Sequence, residues 1–140
     1  MMRAGGLMPF SSKYDNMKRF NHALKYFLKN NHYVMFYPEQ AMWHMYDKPR
    51  PYKNGAYHYA VKHNVPVIPM FITYRNSGKI DENGMEDKYF TLHIMEPIYP
   101  KDELNNKDNV DYMRDKNYEM SCNKYFEVYG KKLEYETNEK

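Results

Sequence analysis

Six histidines, one cysteine and a charged loop behind an apolar run are the residues of this chain whose types could do chemistry. The histidines do not combine into a metal site. His58 and His63 stand five apart, on different faces of a helix, and no His, Cys or carboxylate cluster has zinc-ligand spacing. Cys122 has no second cysteine to pair with, which points to a reducing compartment. Inside a C-terminal helix it reads as a half-buried filler and not as a nucleophile. What remains runs from Tyr37-Pro38-Glu39 to Tyr52-Lys53-Asn54-Gly55 and carries Glu39, Asp47, Lys48, Arg50 and Lys53 between an apolar run and a helix start. A loop at the carboxyl end of a strand is where ligands of open α/β sheets bind.

The elements that must position this loop follow from periodicity. Asp15 is a candidate N-cap, and Met17, Phe20, Leu24, Phe27 and Leu28 recur at spacings of three and four, which predicts a helix to about residue 30. Tyr33-Val34-Met35-Phe36-Tyr37 is a continuous apolar run of strand length, the pattern of a strand covered on both faces of a parallel sheet, and Pro38 stops it. Asn54 can cap a helix from Gly55 to about residue 62. Residues 65–74 predict a second buried strand, part of which Pro66 and Pro69 keep out of a regular ladder. Residues 75–87 read as a polar loop with Ser77-Gly78 and Asn83-Gly84 turns, and residues 89–95 alternate as a third strand. Glu96-Pro97-Ile98-Tyr99-Pro100 is a rigid extended exit. A final helix opens near Asp108, presents Val110, Met113, Asn117, Met120 and Val128 on one side, and closes at Gly130. The expected architecture is α/β: a mostly parallel sheet flanked by helices, one domain over residues 1–130, with a charged tail at 131–140 that frays.

Composition narrows the class. Hydrophobic residues make up 42% of the 140 and aromatics 17%, which excludes intrinsic disorder, although 16 Tyr and 12 Met supply much of that content. A net charge of only +3 leaves no electrostatic footprint for nucleic acid. The longest run free of charged residues, 63–74, is interrupted by two prolines, whereas a spanning helix needs about 20 apolar residues. No secretory signal opens the chain.

Taken in order, Gly6-Leu7-Met8-Pro9-Phe10, then Tyr37-Pro38-Glu39 with Lys53 and Gly55, then Val65-Pro66-Val67-Ile68-Pro69 resemble the second, third and fourth sequence blocks of the lysophosphatidate (1-acylglycerol-3-phosphate) acyltransferase family. The likeness covers residues 5 to 99. It implies a glycerolipid acyltransferase fold, and transfer of a fatty acyl group from a coenzyme A or acyl-carrier-protein thioester to a lysophospholipid acceptor in phospholipid synthesis. No bound cofactor or metal is implied, and the place is the cytoplasmic, inner face of a membrane, held peripherally.

The family's chemistry needs a base for the acceptor hydroxyl, stabilisation of a tetrahedral oxyanion, and groups that hold both substrates. The base is a His whose Asp follows after four residues, and no His here has Asp five positions later, so that block is missing. The resemblance therefore implies an N-terminally truncated domain that is inactive alone, or else a phospholipid-binding module or a gene fragment without independent function. By the same likeness Glu39 and Lys53 hold the acceptor and Gly55 begins the helix beside it. Gln40, Ala41 and Met42 stand where the family has Gly, Thr and Arg, so Arg50 is the candidate replacement cation, its planar fork being suited to phosphate oxygens. Trp43, with His44, Met45 and Tyr46, could enter a membrane interface, line an acyl channel or pack over the sheet.

Overall fold

The computed structural model describes residues 14–40 and 46–135. Its contacts divide the chain into two compact units, Met1–Phe36 and Tyr37–Lys140. The expectations for Gly6 to Phe10 and for the Trp43 stretch lie outside the described residues.

In the first unit α1 spans Tyr14–Lys29 and buries Phe20 and Leu24, two of the five residues whose spacing predicts it. Phe20 meets Phe36 edge to face at 6.5 Å. The helix stops because Asn31 turns left-handed at φ 58° while the Asn30 side chain donates back to the Tyr26 carbonyl at 2.8 Å. Residues 33–37, expected as a buried strand, form no ladder. Tyr33 is 90% exposed and Tyr37 75%, and among the described residues no strand pairs with the run.

The second unit holds α2 (Gly55–His63), β1 (Met70–Ile80), β2 (Glu86–Ile94) and α3 (Asn106–Tyr129). Helices and strands are mixed, but the sheet is a single antiparallel pair, β1 against β2, and not the mostly parallel sheet expected. The reason is the connection. Residues 75–87 are not a polar loop long enough to return the chain for parallel pairing; β1 runs on to Ile80, and a hairpin closes at Asp81, whose side chain accepts from the N–H groups of Asn83 and Met85 at 2.8 Å each. Those bonds hold the Asp81 carboxyl below its usual range. Gly84, at φ 77°, supplies the left-handed turn residue.

As expected, Pro66 and Pro69 keep the first residues of the 65–74 run out of the ladder, which begins at Met70 after one bridge between Val67 and Ile98. α3 starts two residues before Asp108, with Asn105 as N-cap accepting from the Asp108 N–H at 2.9 Å, and ends at Gly130 in left-handed geometry. Its buried face packs Val110 and Met113 on Tyr57 and Ala60 of α2 and on Ile98. Asn109 is buried because its side chain clamps the preceding loop, accepting from Lys101 N and donating to the Lys101 and Leu104 carbonyls. The start of the tail does not fray as expected: Tyr135 bonds to the Pro49 carbonyl and, at 2.6 Å, to the Tyr118 hydroxyl. Among the described residues no helix is long and apolar enough to cross a membrane.

Candidate functional site

Glu39, Arg50, Lys53 and Gly55 are joined by backbone geometry. Tyr37 to Gln40 forms a tight turn in which the Gln40 N–H reaches the Tyr37 carbonyl and Gln40 takes φ 54°. Two bonds then lock this turn onto the segment before α2: the Lys53 N–H donates to the Pro38 carbonyl at 2.9 Å, and the Arg50 N–H donates to Glu39 Oε1 at 3.2 Å. Pro49 is fully buried behind the second contact. Residues up to fifteen positions apart therefore meet at one corner of the unit, with Gly55 as the first residue of α2.

The electrostatics of this corner are mixed. Partial burial raises the Glu39 pKa, and the Arg50 N–H and guanidinium only partly offset it. Close by, burial pushes the Tyr52 phenol up to about 12, against the lowering effect of its 2.8 Å hydrogen bond with Ser121, so it is protonated at neutral pH. Lys53 is exposed and, among the described residues, in no ion pair. Asn54 precedes α2 without capping it. Its side-chain oxygen instead accepts from Arg114 Nη1 at 2.7 Å, so no side chain caps the first-turn N–H groups of α2. Arg114 is itself neutralised by Asp115 and Asp111, each at 2.8 Å.

Sequence reasoning missed Arg114 and Ser121, which reach this corner from α3 across 60 and 69 residues. The only local signal was an arginine among aspartates on a helix, the usual pattern of a solvated face. Cys122 is half-buried, as expected, and burial raises its pKa despite a hydrogen bond with Tyr118. Among the described residues of the second unit, a cleft of about 360 Å³ lies at residues 96–101 and another of about 590 Å³ beside the end of β2, and neither is lined by Glu39, Arg50, Lys53 or Gly55. Lys53 stands two residues before the uncapped start of α2, so a positive charge and helix-opening N–H groups, both of which favour anions, follow one another in the chain.

The chain matches no family model, no curated protein and no solved structure.

The raised Glu39 pKa has a testable sign. Below the ordinary carboxylate pKa both folded and unfolded chains are protonated there and the fold bears no penalty; as pH rises through the folded value, the unfolded chain ionises more readily and stability falls. Glu39→Gln keeps an acceptor for Arg50 N–H. It is expected to raise stability at pH 7 by less than about 1 kcal/mol, because solvent screens a half-buried group, and to leave stability unchanged at pH 3. Thermal melts at both pH values check it, and a loss of stability at pH 7 would contradict the reading.

Proposed function

We propose that this chain carries the acceptor-gripping part of a glycerolipid acyltransferase and, without a His–Asp block of its own, binds a lysophospholipid headgroup at a membrane surface without transferring an acyl group. The acceptor phosphate lies against Lys53 and the uncapped start of α2, and Glu39 takes a headgroup hydroxyl. Arg50 holds Glu39 in place through its backbone N–H and adds positive charge. In a complete enzyme of this kind the same grip would hold the acceptor hydroxyl toward a thioester on coenzyme A or an acyl carrier protein.

One observation carries the reading: the pair of hydrogen bonds from Lys53 N–H to Pro38 and from Arg50 N–H to Glu39, which joins the acidic turn to the basic helix start. The half-buried Glu39 carboxyl, its pKa raised by burial, is the kind of group that binding sites hold.

The test is sedimentation of the purified chain with vesicles containing lysophosphatidate, beside vesicles of the same neutral lipid without it. Headgroup-dependent binding is expected, reduced about fivefold or more by Lys53→Glu, which reverses the charge at the helix start. Free thiol from acyl-coenzyme A should not appear. Binding that ignores both the headgroup and Lys53→Glu overturns the assignment of the site, and catalysed thiol release overturns the non-catalytic half of the reading.

A further inference from the structure

The two outer edges of the β1·β2 sheet are treated differently. Met95 N–H donates to Pro69 across the pair, which sets the phase of the ladder: odd-numbered residues of β2 exchange hydrogen bonds with β1, and Phe90, Leu92 and Ile94 turn their N–H and C=O groups outward. On β1 the outward groups of Tyr74 are capped, because the Tyr129 hydroxyl accepts from its N–H at 2.7 Å and donates to its carbonyl. That cap blocks strand addition at the β1 edge. On β2, among the described residues, no hydrogen bond reaches the outward groups of Leu92 or Ile94. The cleft of about 590 Å³ lies between residues 92–96 and Met120, Asn123, Lys124 and Glu127 of α3.

The side chains along the same edge are self-complementary. Lys88, Phe90, Leu92 and Ile94 alternate onto one face of β2, and Glu96 follows two residues past its end, so the chain runs from a cation through three apolar residues to an anion. The apolar three are 71%, 48% and 68% exposed, far more than a finished sheet face shows. Neither Lys88 nor Glu96 forms an ion pair within the described chain. Laid antiparallel against a second copy with Leu92 facing Leu92, the pattern matches itself: Phe90 faces Ile94, and Lys88 faces Glu96 at both ends. A shift by two residues puts Lys88 opposite Ile94 and loses the charge match.

We infer that the chain forms a two-fold dimer by pairing the open edges of β2, with Leu92 at the dyad, giving a continuous four-stranded antiparallel sheet. The occupant of the edge is a second copy, because the order of charges along β2 is the reverse complement that an antiparallel copy of itself requires. Each facing pair exchanges two backbone hydrogen bonds. The two α3 helices then lie side by side on one face, at the spacing of two strands.

Sedimentation velocity of the full chain at about 50 µM tests this, a concentration at which a micromolar association is readily seen. A dimer is expected. Leu92→Pro removes an N–H that β1 does not use, so it should give a monomer with an unchanged circular dichroism spectrum. Lys88→Glu alone and Glu96→Lys alone each set like charges opposite one another and should weaken dimerisation about tenfold, while the two combined restore it to within about threefold of the original. A monomeric wild-type chain, a dimer indifferent to Leu92→Pro, or a combined variant no better than either single change would each overturn the inference.

Discussion

Replacing Met113 by Ala is expected to lower the stability of the Tyr37–Lys140 unit by about 3 kcal/mol. Met113 is completely buried and is the α3 residue around which Tyr57, Ala60, Ile98 and Val110 close. These residues come from two helices and a proline-flanked extended segment, so the backbone cannot collapse onto the vacated volume, and the lost contacts add to the lost transfer free energy. The effect should appear as a fall of about 10 °C in melting temperature. Met113→Leu, which nearly conserves volume, should cost less than about 1.5 kcal/mol. A loss below about 1 kcal/mol for the Ala variant would mean that this cluster is not the core of the unit.

The second large effect belongs to a buried polar pair. Asn117 donates to the Tyr57 hydroxyl at 2.9 Å inside the α2–α3 interface, where Asn117 is only 6% exposed. Burial raises the Tyr57 pKa, so its phenol stays neutral. Tyr57→Phe leaves an amide N–H without its acceptor in a dry site and should destabilise by about 1–3 kcal/mol. Adding Asn117→Leu removes the stranded group and should return part of that loss, because neither polar partner then remains. The double-mutant cycle in urea is expected to show a coupling of at least about 1 kcal/mol. Strict additivity would show that the bond contributes nothing beyond packing.

How far these features could be read from residues alone depends on the distance over which each is decided. The burial of Phe20 and Leu24 on α1, the exclusion of Pro66 and Pro69 from the ladder, the end of α1 at Asn30-Asn31 and the Gly130 stop are settled within a few residues, and the structure agrees with them. Ser77-Gly78 and Asn83-Gly84 looked alike as turn signals. The second closes the hairpin, whereas the first lies within β1, where the register slips between Asn76 and Ile80. Choosing between them needed the apolar partners on β2, so the parallel sheet was a reasonable reading of the wrong connection. The run at residues 33–37 has the composition of a buried strand, but burial needs a neighbouring strand, and none is described beside it.

The candidate corner divides in the same way. Glu39, Lys53 and Gly55 stand out by type and order, and the hydrogen bonds between their segments span 11 to 15 residues. Arg114 and Ser121 do not stand out, because their partners Asn54 and Tyr52 lie 60 and 69 residues away and are reached only once α3 has packed on α2.

By itself the sequence determined which stretches form α1, α2 and α3, where α1 and α3 stop, and which charged residues cluster before α2, because propensity and periodicity act over one or two turns of chain. Only the tertiary structure decided that β1 pairs antiparallel with β2, that Tyr129 caps one edge of that pair, and that Arg114 occupies the side chain of Asn54 and leaves the α2 N-terminus open. Strand partners and long-range hydrogen bonds depend on which apolar surfaces close together, and that is a property of the whole packed unit.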